Sequence, residues 1–378
     1  MAGPLSHIRV LDLSRILAGP WSTQMLGDMG AEVIKIENPH SGDDTRNWGP
    51  PFQKNEDGSD GDATYFHSTN RNKTSLFIDI TTKTGQTEIY DLVKNSDILV
   101  ENYKVGGLKK YGLDYQSLSI LNPEIIYCSI TGFGQSGPYA ERAGYDFMIQ
   151  AMGGLMSITG ESDENGGGPQ KVGVAIADLM TGMYATVGIL GALTHRDQTG
   201  EGQYIDLALL DCQIAMLANH TSNYLFNGKD PERHGNSHIS IVPYQNFKTT
   251  DGDIVIAIGN DNQFENFSIL VERKWHKDSR YKTNACRVVN RNILVPEIES
   301  IIKEKSSNKW MKLLEKHGVP CGPVNTLADI LNDPHVKNRG ILKEIKTCDG
   351  EIIPIIANPI RYSKTPMVYT KAPPKLKR

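Results

Sequence analysis

Residues 8–37 read IRVLDLSRILAGPWSTQMLGDMGAEVIKIE and have the pattern of one strand–helix–strand unit. Residues 8–13 are an apolar run of strand length, 21–29 have helical spacing that ends at Gly30, and 32–37 form a second strand-like run. This order is typical of the βαβ unit, in which the two strands are parallel. The stretch therefore predicts a parallel sheet with helices packed against it.

The same alternation continues along the first third of the chain. Residues 38–62 are rich in Gly, Asp, Asn and Pro and predict a long loop. Beyond that loop the predicted elements are strands at 74–79, 97–100 and 125–130 and helices at 83–94 and 106–111. We therefore expect an α/β fold with a mostly parallel sheet.

The pattern changes after about residue 215. Residues 243–258 contain two strand-like runs around a Thr-Asp-Gly turn, which predicts a local antiparallel pair. Helical spacing returns at 262–272 and 295–317, and Pro320 then interrupts it. Residues 225–315 thus predict a smaller α+β domain.

Composition excludes several classes of protein. The 378 residues, 39% hydrophobic and 22% charged, are enough for about two globular domains. A formal net charge of −4 gives no electrostatic reason to expect nucleic acid or an anionic membrane as a partner. The cysteines are scattered and never form a CxxC pair, so we expect reduced thiols in an intracellular protein. They are Cys128, Cys212, Cys286, Cys321 and Cys348.

Neither a metal site nor a membrane span is expected. His234 and His238 have the i, i+4 spacing of a metal-binding pair, but the Gly-Asn-Ser between them predicts a loop and no third ligand is near. Residues 172–193 are apolar and long enough to cross a bilayer. They contain Asp178 and lack flanking aromatic or basic anchors, so we interpret them as part of a core.

The first strand-like run begins at Ile8, which leaves no room for a signal or transit peptide in front of it. We therefore expect a cytoplasmic protein in a bacterium. In a eukaryote the mitochondrial matrix is the alternative compartment.

Residues 132–137, GFGQSG, match the GxGxxG pattern of dinucleotide-binding proteins. In those proteins a helix begins at this point, so that its N-terminus faces the pyrophosphate. Here Pro138 and Tyr139 follow instead. We predict no nicotinamide or flavin site, but a glycine loop that lets the backbone approach a ligand.

Asp178 is the most informative single residue. It lies in the run VAIADLMTG at 174–182, whose other members are apolar or small. An unpaired carboxylate is costly to bury unless its pKa shifts or a partner compensates it. One interpretation is the N-cap of a helix over 179–195. The other is a nucleophile, because a desolvated carboxylate at a helix start is reactive.

The chain resembles the family III CoA-transferases, also called the CaiB/BaiF family. The resemblance covers about residues 5–370, and its motifs are highly specific when taken together. They are VLDL at 10–13, LAGP at 17–20, LGDMGAEVIKIE at 26–37, GDDTR at 42–46, NRNK at 70–73, VENY at 100–103, TGFG at 131–134, Ala177-Asp178 with Thr181-Gly182, Pro243-Tyr244 and GVPCGPV at 318–324.

The resemblance implies covalent catalysis by Asp178. The carboxylate attacks an acyl-CoA thioester and forms a mixed anhydride, the released CoA thiolate converts this to an aspartyl-CoA thioester, and an acceptor carboxylate then takes the CoA. The apolar setting of Asp178 would keep water out. Backbone N–H groups of the loop at 132–137 are candidates for stabilising the oxyanions.

The resemblance also implies the binding residues. Coenzyme A or an acyl-CoA is then a substrate, and no permanently bound cofactor and no metal are expected. The positions that match CoA contacts are Leu17, Ala18, Asn38, Arg46, Asn70, Arg71, Asn72, Lys73, Asn102, Tyr103, Lys110, Thr131, Gly132, Phe133 and Gly134. The positions assigned to the substrate acid are Tyr145, His238 and Tyr244.

Departures within the family point to one branch. Leu17 stands where formyl-CoA transferase has glutamine, and Asn38 and Lys110 stand where it has arginines. Residues 240–248 and 279–284 look most like the succinyl-CoA:glutarate branch. The resemblance therefore implies succinyl-CoA as the donor and a dicarboxylate such as glutarate as the acceptor.

The family fold implies a Rossmann-like large domain built from both ends of the chain and a small domain inserted between them. It also implies an interlocked homodimer of ring-like chains. The expected large domain is 1–200 with 325–378, the small α+β domain is 225–315, and the linkers are 201–224 and 316–324.

Two other functions stay open. The family includes alpha-methylacyl-CoA racemases, which have a histidine base in a Gly-His-Asp context. This chain has Gly144-Tyr145-Asp146 there, and tyrosine is a poor base near neutral pH. An inactive CoA-binding or scaffold protein is the other alternative, and the presence of Asp178 counts against it.

Overall fold

The structure is a computed structural model that describes residues 3–55, 57–347 and 350–376. These residues divide into two units. The first contains the residues up to Met156, Lys171–Lys229 and the residues from Lys337 onward. The second contains Ser157–Gln170 and Asp230–Val336.

The bounds of the elements are as follows. The strands are β1 Arg9–Asp12, β2 Glu32–Glu37, β3 Phe52–Lys54, β4 Asp60–Ala63, β5 Lys73–Phe77, β6 Ile98–Glu101, β7 Ile126–Thr131, β8 Tyr204–Ala208, β9 Tyr244–Lys248, β10 Asp253–Ala257, β11 Cys321–Pro323, β12 Leu342–Lys346 and β13 Ile352–Ile356. The α-helices are α1 Ala18–Asp28, α2 Thr64–His67, α3 Lys83–Val93, α4 Tyr115–Leu121, α5 Asp146–Met152, α6 Leu155–Ile158, α7 Ile176–Thr199, α8 Leu209–Met216, α9 Asn219–Asn227, α10 Asp261–Leu270, α11 Asn284–Val289, α12 Arg291–Ile302, α13 Ser307–Lys316, α14 Leu327–Asn332 and α15 Pro334–Arg339. Short 3₁₀ segments are Asp44–Asn47, Lys109–Tyr111, Asp163–Asn165 and Trp275–Lys277.

Six parallel strands form the main sheet of the first unit, in the order β5-β2-β1-β6-β7-β8. Strand β1 pairs with β2 on one side and with β6 on the other. The chain therefore extends the sheet in opposite directions from β1. In open α/β sheets the crevice outside the carboxyl ends at such a point is where ligands bind. The predicted α/β fold with a parallel sheet is confirmed.

Helices cover both faces of this sheet, as a parallel sheet requires. Because side chains alternate along a strand, neighbouring residues of β1 belong to different cores. Val10 packs in a core that includes Leu26 of α1 and Ile189 of α7. Leu11 packs in the opposite core with Ile89 of α3. The run at 8–37 thus contributes to both layers.

Helices α1 and α7 approach closely at Gly182. A Cβ atom at this position would lie 2.6 Å from the carbonyl oxygen of Ala18 and 3.0 Å from a ring carbon of Trp21. Such distances leave no room for a side chain, so the two helices pack backbone against backbone here. This contact brings the N-terminus of α7 to the loop that follows β1.

Helix α7 is long and apolar enough to cross a membrane by its length and composition. It packs against α1, α5 and α8 within the first unit, and Ala185 and Ile189 are fully buried there. Core helices of soluble proteins pass the same test of length and composition. The absence of a membrane partner stays a prediction.

Three predicted segments differ from the structure. The predicted loop at 38–62 contains a 3₁₀ turn and the hairpin of β3 and β4. The predicted linker at 201–224 contains β8, which pairs with β7 and completes the main sheet. The predicted linker at 316–324 contains β11, which pairs with β10. In each case backbone pairing orders a stretch that was expected to be a loop or linker.

The second unit has a three-stranded antiparallel sheet in the order β11-β10-β9. The predicted antiparallel pair at 243–258 is confirmed, with Lys248 opposite Asp253 at the turn. Helical spacing at 295–317 is divided between α12 and α13, because Ser306 caps α13 by accepting a hydrogen bond from the Lys309 N–H. Phe267 and Trp310 are buried in this unit's core.

Four of the cysteines, Cys128, Cys212, Cys286 and Cys321, are free thiols. Cys348 lies outside the described residues.

Candidate active site

A cleft of about 570 Å³ lies in the first unit at the carboxyl ends of the central strands. Its walls come from segments that directly follow the strands of the main sheet, residues 78–81 after β5 and Leu209 after β8 among them, together with the N-termini of α5 and α7. The other segments at strand ends are Arg15–Ala18 after β1, residues 38 and 41–43 after β2, Asn102–Val105 after β6 and Thr131–Gly132 after β7. Asp146 and Asp178 both line this cleft.

Asp178 lies in the first turn of α7, as its third residue. The predicted N-cap role is wrong, because the helix begins at Ile176 and Ala175 occupies the N-cap position. The side chain is half-buried, and no donor among the described residues forms a hydrogen bond with its carboxylate. Burial and the nearby charge of Asp146 raise the pKa of Asp178 to about 7.

Asp146 is the first residue of α5 and is bonded to the start of α7. Its Oδ1 accepts hydrogen bonds from the backbone N–H of Ala177 at 2.8 Å and of Asp178 at 3.4 Å. Its Oδ2 accepts a bond of 2.7 Å from Gln150 Nε2, and Gln150 Oε1 accepts one of 2.9 Å from the Val172 N–H. One side-chain pair on α5 thereby holds both ends of the segment 172–178.

Two glycines place Asp146 at the cleft. A Cβ atom on Gly132 would lie 2.5 Å from the Cα of Gly144, so the backbones cross here in contact. Only glycine at both positions permits this approach. The crossing lays residues 144–146 over the end of β7. Tyr145 consequently lines the cleft, with 58% of its surface exposed.

The loop at 132–137 is not followed by a helix until Asp146. The absence of a dinucleotide site stays a prediction. The candidate oxyanion donors of the loop are partly occupied. The Gly134 N–H donates to Thr131 Oγ1 at 2.9 Å, and the Gln135 N–H donates to Asp206 Oδ2 at 3.2 Å. The N–H groups of Gly134 and Gln135 are therefore not available to a reacting oxygen. The hypothesis that the loop stabilises the oxyanions is wrong for these two groups.

Eight of the predicted CoA contacts and one predicted substrate contact line the cleft. They are Leu17, Ala18, Asn38, Asn102, Tyr103, Lys110, Thr131, Gly132 and Tyr145. Asn102 has a structural function as well. Its Oδ1 accepts from the Arg15 N–H at 2.8 Å and its Nδ2 donates to the Arg15 carbonyl at 2.7 Å, which fixes the loop after β1.

The other predicted CoA contacts lie outside the cleft lining: Arg46, Asn70, Arg71, Asn72, Lys73, Phe133 and Gly134. Internal partners occupy the charged members. Arg46 pairs with Glu37 at 2.7 Å, Arg71 with Asp28 at 2.6 Å and Lys73 with Asp12 at 3.0 Å. Asn72 donates to the Val368 carbonyl at 2.7 Å. These residues hold strand ends and loops, and their predicted contact with CoA finds no support in the cleft.

The remaining two substrate candidates, His238 and Tyr244, belong to the second unit. Their rings pack edge to face with centroids 5.3 Å apart. The cleft described above belongs to the first unit, so contact of these two residues with the substrate stays a prediction.

Beneath the cleft lies a fully buried ion pair. Lys35 Nζ is 2.9 Å from Asp43 Oδ2 and donates to the Ser14 carbonyl at 2.8 Å. Burial alone would raise the pKa of Asp43, but Lys35 and hydrogen bonds from Thr45 lower it to about 2. The same carboxylate faces the N–H of Ile16, a β-branched residue with φ of 72° at the cleft wall. That left-handed conformation is strained for such a residue.

Two cleft residues were not predicted from the sequence, Asp146 as an anchor and Arg142 as a cation. Arg142 stacks on the Tyr139 ring at 4.3 Å and forms no ion pair with a described residue. The sequence signal for Arg142 was only its position between the glycine loop and Asp178, and Asp146 was noted only as part of the Gly144-Tyr145-Asp146 run. Within the described residues, no three His, Cys, Asp or Glu side chains cluster so as to hold a metal.

Comparisons with known proteins agree with this architecture. The sequence pattern of CoA-transferase family III matches residues 5–378. The chain is 49% identical to the succinate–glutarate CoA-transferase of Agrobacterium fabrum, over 99% of this chain and 93% of that protein. It is 39% identical to a succinyl-CoA:mesaconate CoA-transferase of Haloarcula hispanica, over 96% and 91%. A CaiB/BaiF family crystal structure from Brucella suis superposes with a TM-score of 0.87 at 49% identity, over 99% and 97% of the chains.

Proposed function

Because the chain belongs to CoA-transferase family III and is a CoA-transferase, we propose that it moves CoA from succinyl-CoA to a dicarboxylate through covalent intermediates on Asp178. Coenzyme A thioesters are the substrates of the family. The proposal includes a homodimer of interlocked chains and a cytoplasmic or mitochondrial compartment.

The proposed chemistry is balanced at each step. The Asp178 carboxylate attacks the succinyl thioester carbonyl, the C–S bond breaks, and CoA leaves as a thiolate. The thiolate attacks the aspartyl carbonyl of the anhydride, which releases succinate and leaves an aspartyl-CoA thioester. The acceptor carboxylate expels CoA again to form a second anhydride, and the thiolate then attacks the acceptor carbonyl, regenerating Asp178.

One observation carries the proposal: the cleft holds a half-buried carboxylate to which no described group donates a hydrogen bond. Hydrogen bonds and water lower the reactivity of a carboxylate by stabilising its charge. Asp178 is free of the first and partly shielded from the second, so its ionised form is a strong nucleophile. A pKa of about 7 leaves about half of the molecules ionised at neutral pH.

The acceptor class follows from the relatives and from the charges of the cleft. The two named relatives use glutarate and mesaconate, which share a second carboxylate. Arg142 and Asp146 are four residues apart on one segment, and Asp146 is bonded to the first turn of the helix that carries Asp178. Arg142 and Asp178 both line the cleft, so we assign the distal carboxylate of a short diacid to the Arg142 guanidinium.

The experiment is a trap for the covalent intermediate. Incubation of the protein with succinyl-CoA and hydroxylamine converts an acylated or thioesterified Asp178 to a hydroxamate, which peptide mass spectrometry identifies. We expect the adduct on Asp178 in the native protein. The Asp178→Asn variant is expected to lose transfer by at least about a thousandfold, since the amide is not a nucleophile.

Asp197→Asn is a matched control, because it removes one carboxylate from the exposed far end of the same helix. It is expected to behave as the native protein. Absence of an adduct at Asp178, together with transfer that survives Asp178→Asn, would refute the mechanism. Solvent deuterium entering the acyl α-carbon without CoA transfer would instead support the racemase alternative at Tyr145, and CoA binding with neither activity would support the scaffold alternative.

A further inference from the structure

We propose that Asp146 is a positioning residue that fixes the first turn of α7 and places a like charge beside the nucleophile Asp178. This inference rests on the proposed function and deepens it. Asp146 is thus a second carboxylate of the cleft that takes part in the reaction. It acts through Asp178 and does not contact the substrate.

The first argument is geometric. Asp146 Oδ1 accepts the N–H groups of two consecutive residues, Ala177 and Asp178, at 2.8 and 3.4 Å. Ala175 at the N-cap makes no side-chain capping bond, so Asp146 replaces a local cap with one supplied by another helix. A cap from α5 fixes the direction in which α7 presents Asp178, because the bond ends on the backbone of Asp178 itself.

Hydrogen bonds from Gln150 restrict the orientation of the Asp146 side chain. Gln150, one turn later on α5, donates to Asp146 Oδ2 at 2.7 Å and accepts from the Val172 N–H at 2.9 Å. Gln150 is fully buried, so its amide has no access to water as an alternative partner. The carboxylate of Asp146 is thereby oriented before any substrate binds.

The third argument is electrostatic. The titratable side chains on elements packed against α7 are Asp28 on α1, Asp146 on α5, Asp211 and Cys212 on α8, Tyr127 and Cys128 on β7, and Tyr204 and Asp206 on β8. Asp146 is the one whose charge acts on Asp178, and it adds to the effect of burial in raising that pKa to about 7. Tyr65 feels both carboxylates as well, but burial and their charges raise its pKa to about 12, so it stays neutral.

The charge of Asp146 therefore makes the Asp178 carboxylate more basic. It also reduces the fraction of Asp178 that is ionised below neutral pH. A carboxylate of higher pKa attacks a thioester faster once it is ionised. Removing the charge of Asp146 lowers the pKa of Asp178, so the acid limb of the pH–rate profile moves to lower pH. Removing the hydrogen-bond acceptor as well loosens the helix start.

Three variants separate these effects when kcat/KM for succinyl-CoA is measured between about pH 5 and pH 9. Asp146→Asn keeps an acceptor oxygen but no charge, and we expect its acid limb about one pH unit lower with a plateau within about threefold of native. Asp146→Ala is expected to show the same shift and a plateau lower by at least about tenfold. Asp197→Asn should overlay the native profile.

If the acid limb of the kcat/KM profile of Asp146→Asn coincides with that of the native protein, the charge of Asp146 does not act on Asp178 and the electrostatic role is overturned. Equal plateaus for Asp146→Asn and Asp146→Ala overturn the positioning role. If Asp146→Ala does not fold, as thermal unfolding would reveal, the Asp146→Asn profile and a second measurement decide.

That measurement is carbodiimide labelling of Asp178 against pH, followed by peptide mass spectrometry. It reports protonation without any turnover, and its midpoint should move with the acid limb. A midpoint that does not move overturns the inference even where transfer is lost. A failure of the proposed function differs from this, because it leaves Asp178→Asn active.

Discussion

Arg142 lines the cleft and pairs with no carboxylate in the part of the chain that the structure describes. Arg46, Arg71 and Lys73, which the sequence suggested as CoA contacts, are all paired with carboxylates inside the protein. Arg142 rests on the ring of Tyr139 and has its guanidinium edges free of ion pairs with the described residues. A guanidinium held in place by an aromatic face is well prepared to bind a carboxylate.

Replacing Arg142 with methionine is expected to raise the KM for glutarate by about thirtyfold, corresponding to one charge-assisted hydrogen bond of about 2 kcal/mol. The response to a monocarboxylate acceptor should change little, because it has no distal charge. Steady-state kinetics with both acceptors measure the difference. Arg273→Met, at an exposed arginine of the second unit, is the control. An equal effect on both acceptors would contradict the assignment.

At the residue scale, the sequence identified Asp178 but not its surroundings. A carboxylate within an apolar run is visible without a structure, since its burial needs compensation. Its position in α7 was misjudged by three residues, because the start of the helix is stabilised by Asp146 from α5 and not by a local cap. No periodicity marks residues 138–146, so Arg142 could not be singled out, and the Gly144-Tyr145-Asp146 run did not reveal that Asp146 bonds to the start of α7.

At the scale of elements, the packing of α1 on α7 depends on Gly182. Gly182→Val would place side-chain atoms where the Ala18 carbonyl oxygen and the Trp21 ring now lie. The helices would have to separate, and we expect the free energy of unfolding to fall by about 2–3 kcal/mol. Chemical denaturation monitored by circular dichroism measures this change.

Gly191→Ala on the same helix provides the matched control. A Cβ atom there meets nothing within 4 Å, so alanine should be neutral or stabilise the helix by up to about 1 kcal/mol through its higher propensity. Equal destabilisation by both variants would contradict the prediction. It would show that the loss of glycine itself, and not the steric contact between α1 and α7, lowers the stability.

Elements with strong periodicity were predicted well. The strand at 32–37 was predicted at its observed bounds, and the helix at 83–94 ends within one residue of α3. Strand β8 was missed because YIDLA is short, follows a Gly-rich turn and becomes a strand through its pairing with β7. The hairpin of β3 and β4 was missed for a similar reason, since Asp60 and Gly61 favour turns.

At the scale of the whole molecule, exposed apolar side chains on the first unit call for a partner. Phe226 is 93% exposed, Leu225 is 76% exposed and Val187 on α7 is 63% exposed. Contiguous exposed apolar surface is typical of interaction sites. The proposed partner is a second copy of the chain, consistent with the interlocked homodimer that the family resemblance implies.

Light scattering is expected to give twice the chain mass of 41.8 kDa. Linked rings cannot separate without unfolding, so dilution should not dissociate the dimer and tagged and untagged copies should not exchange under native conditions. After unfolding and refolding together they should form mixed dimers. A species of single-chain mass on dilution, or rapid exchange, would contradict the interlocked arrangement.

Chain length predicted about two domains, and two units are present. The second unit takes Ser157–Gln170 from the middle of the first, a division that composition does not mark. Non-local strand order decides such boundaries, and a single sequence carries no direct record of which distant segments pair.

The raised pKa of Asp178 also means that ionisation of this carboxyl group destabilises the folded state. In the unfolded chain this carboxyl titrates near its ordinary value of 3.8, whereas in the folded protein it titrates near 7. Between these values the folded state holds the extra proton, so the contribution of Asp178 to stability falls as pH rises through this window. Above about pH 7, where Asp178 is ionised and can act as the nucleophile, the free energy of unfolding is lowered by the full cost of this ionisation. Acylation of Asp178 also removes that charge, so turnover and folding free energy are coupled through the charge of a single carboxylate.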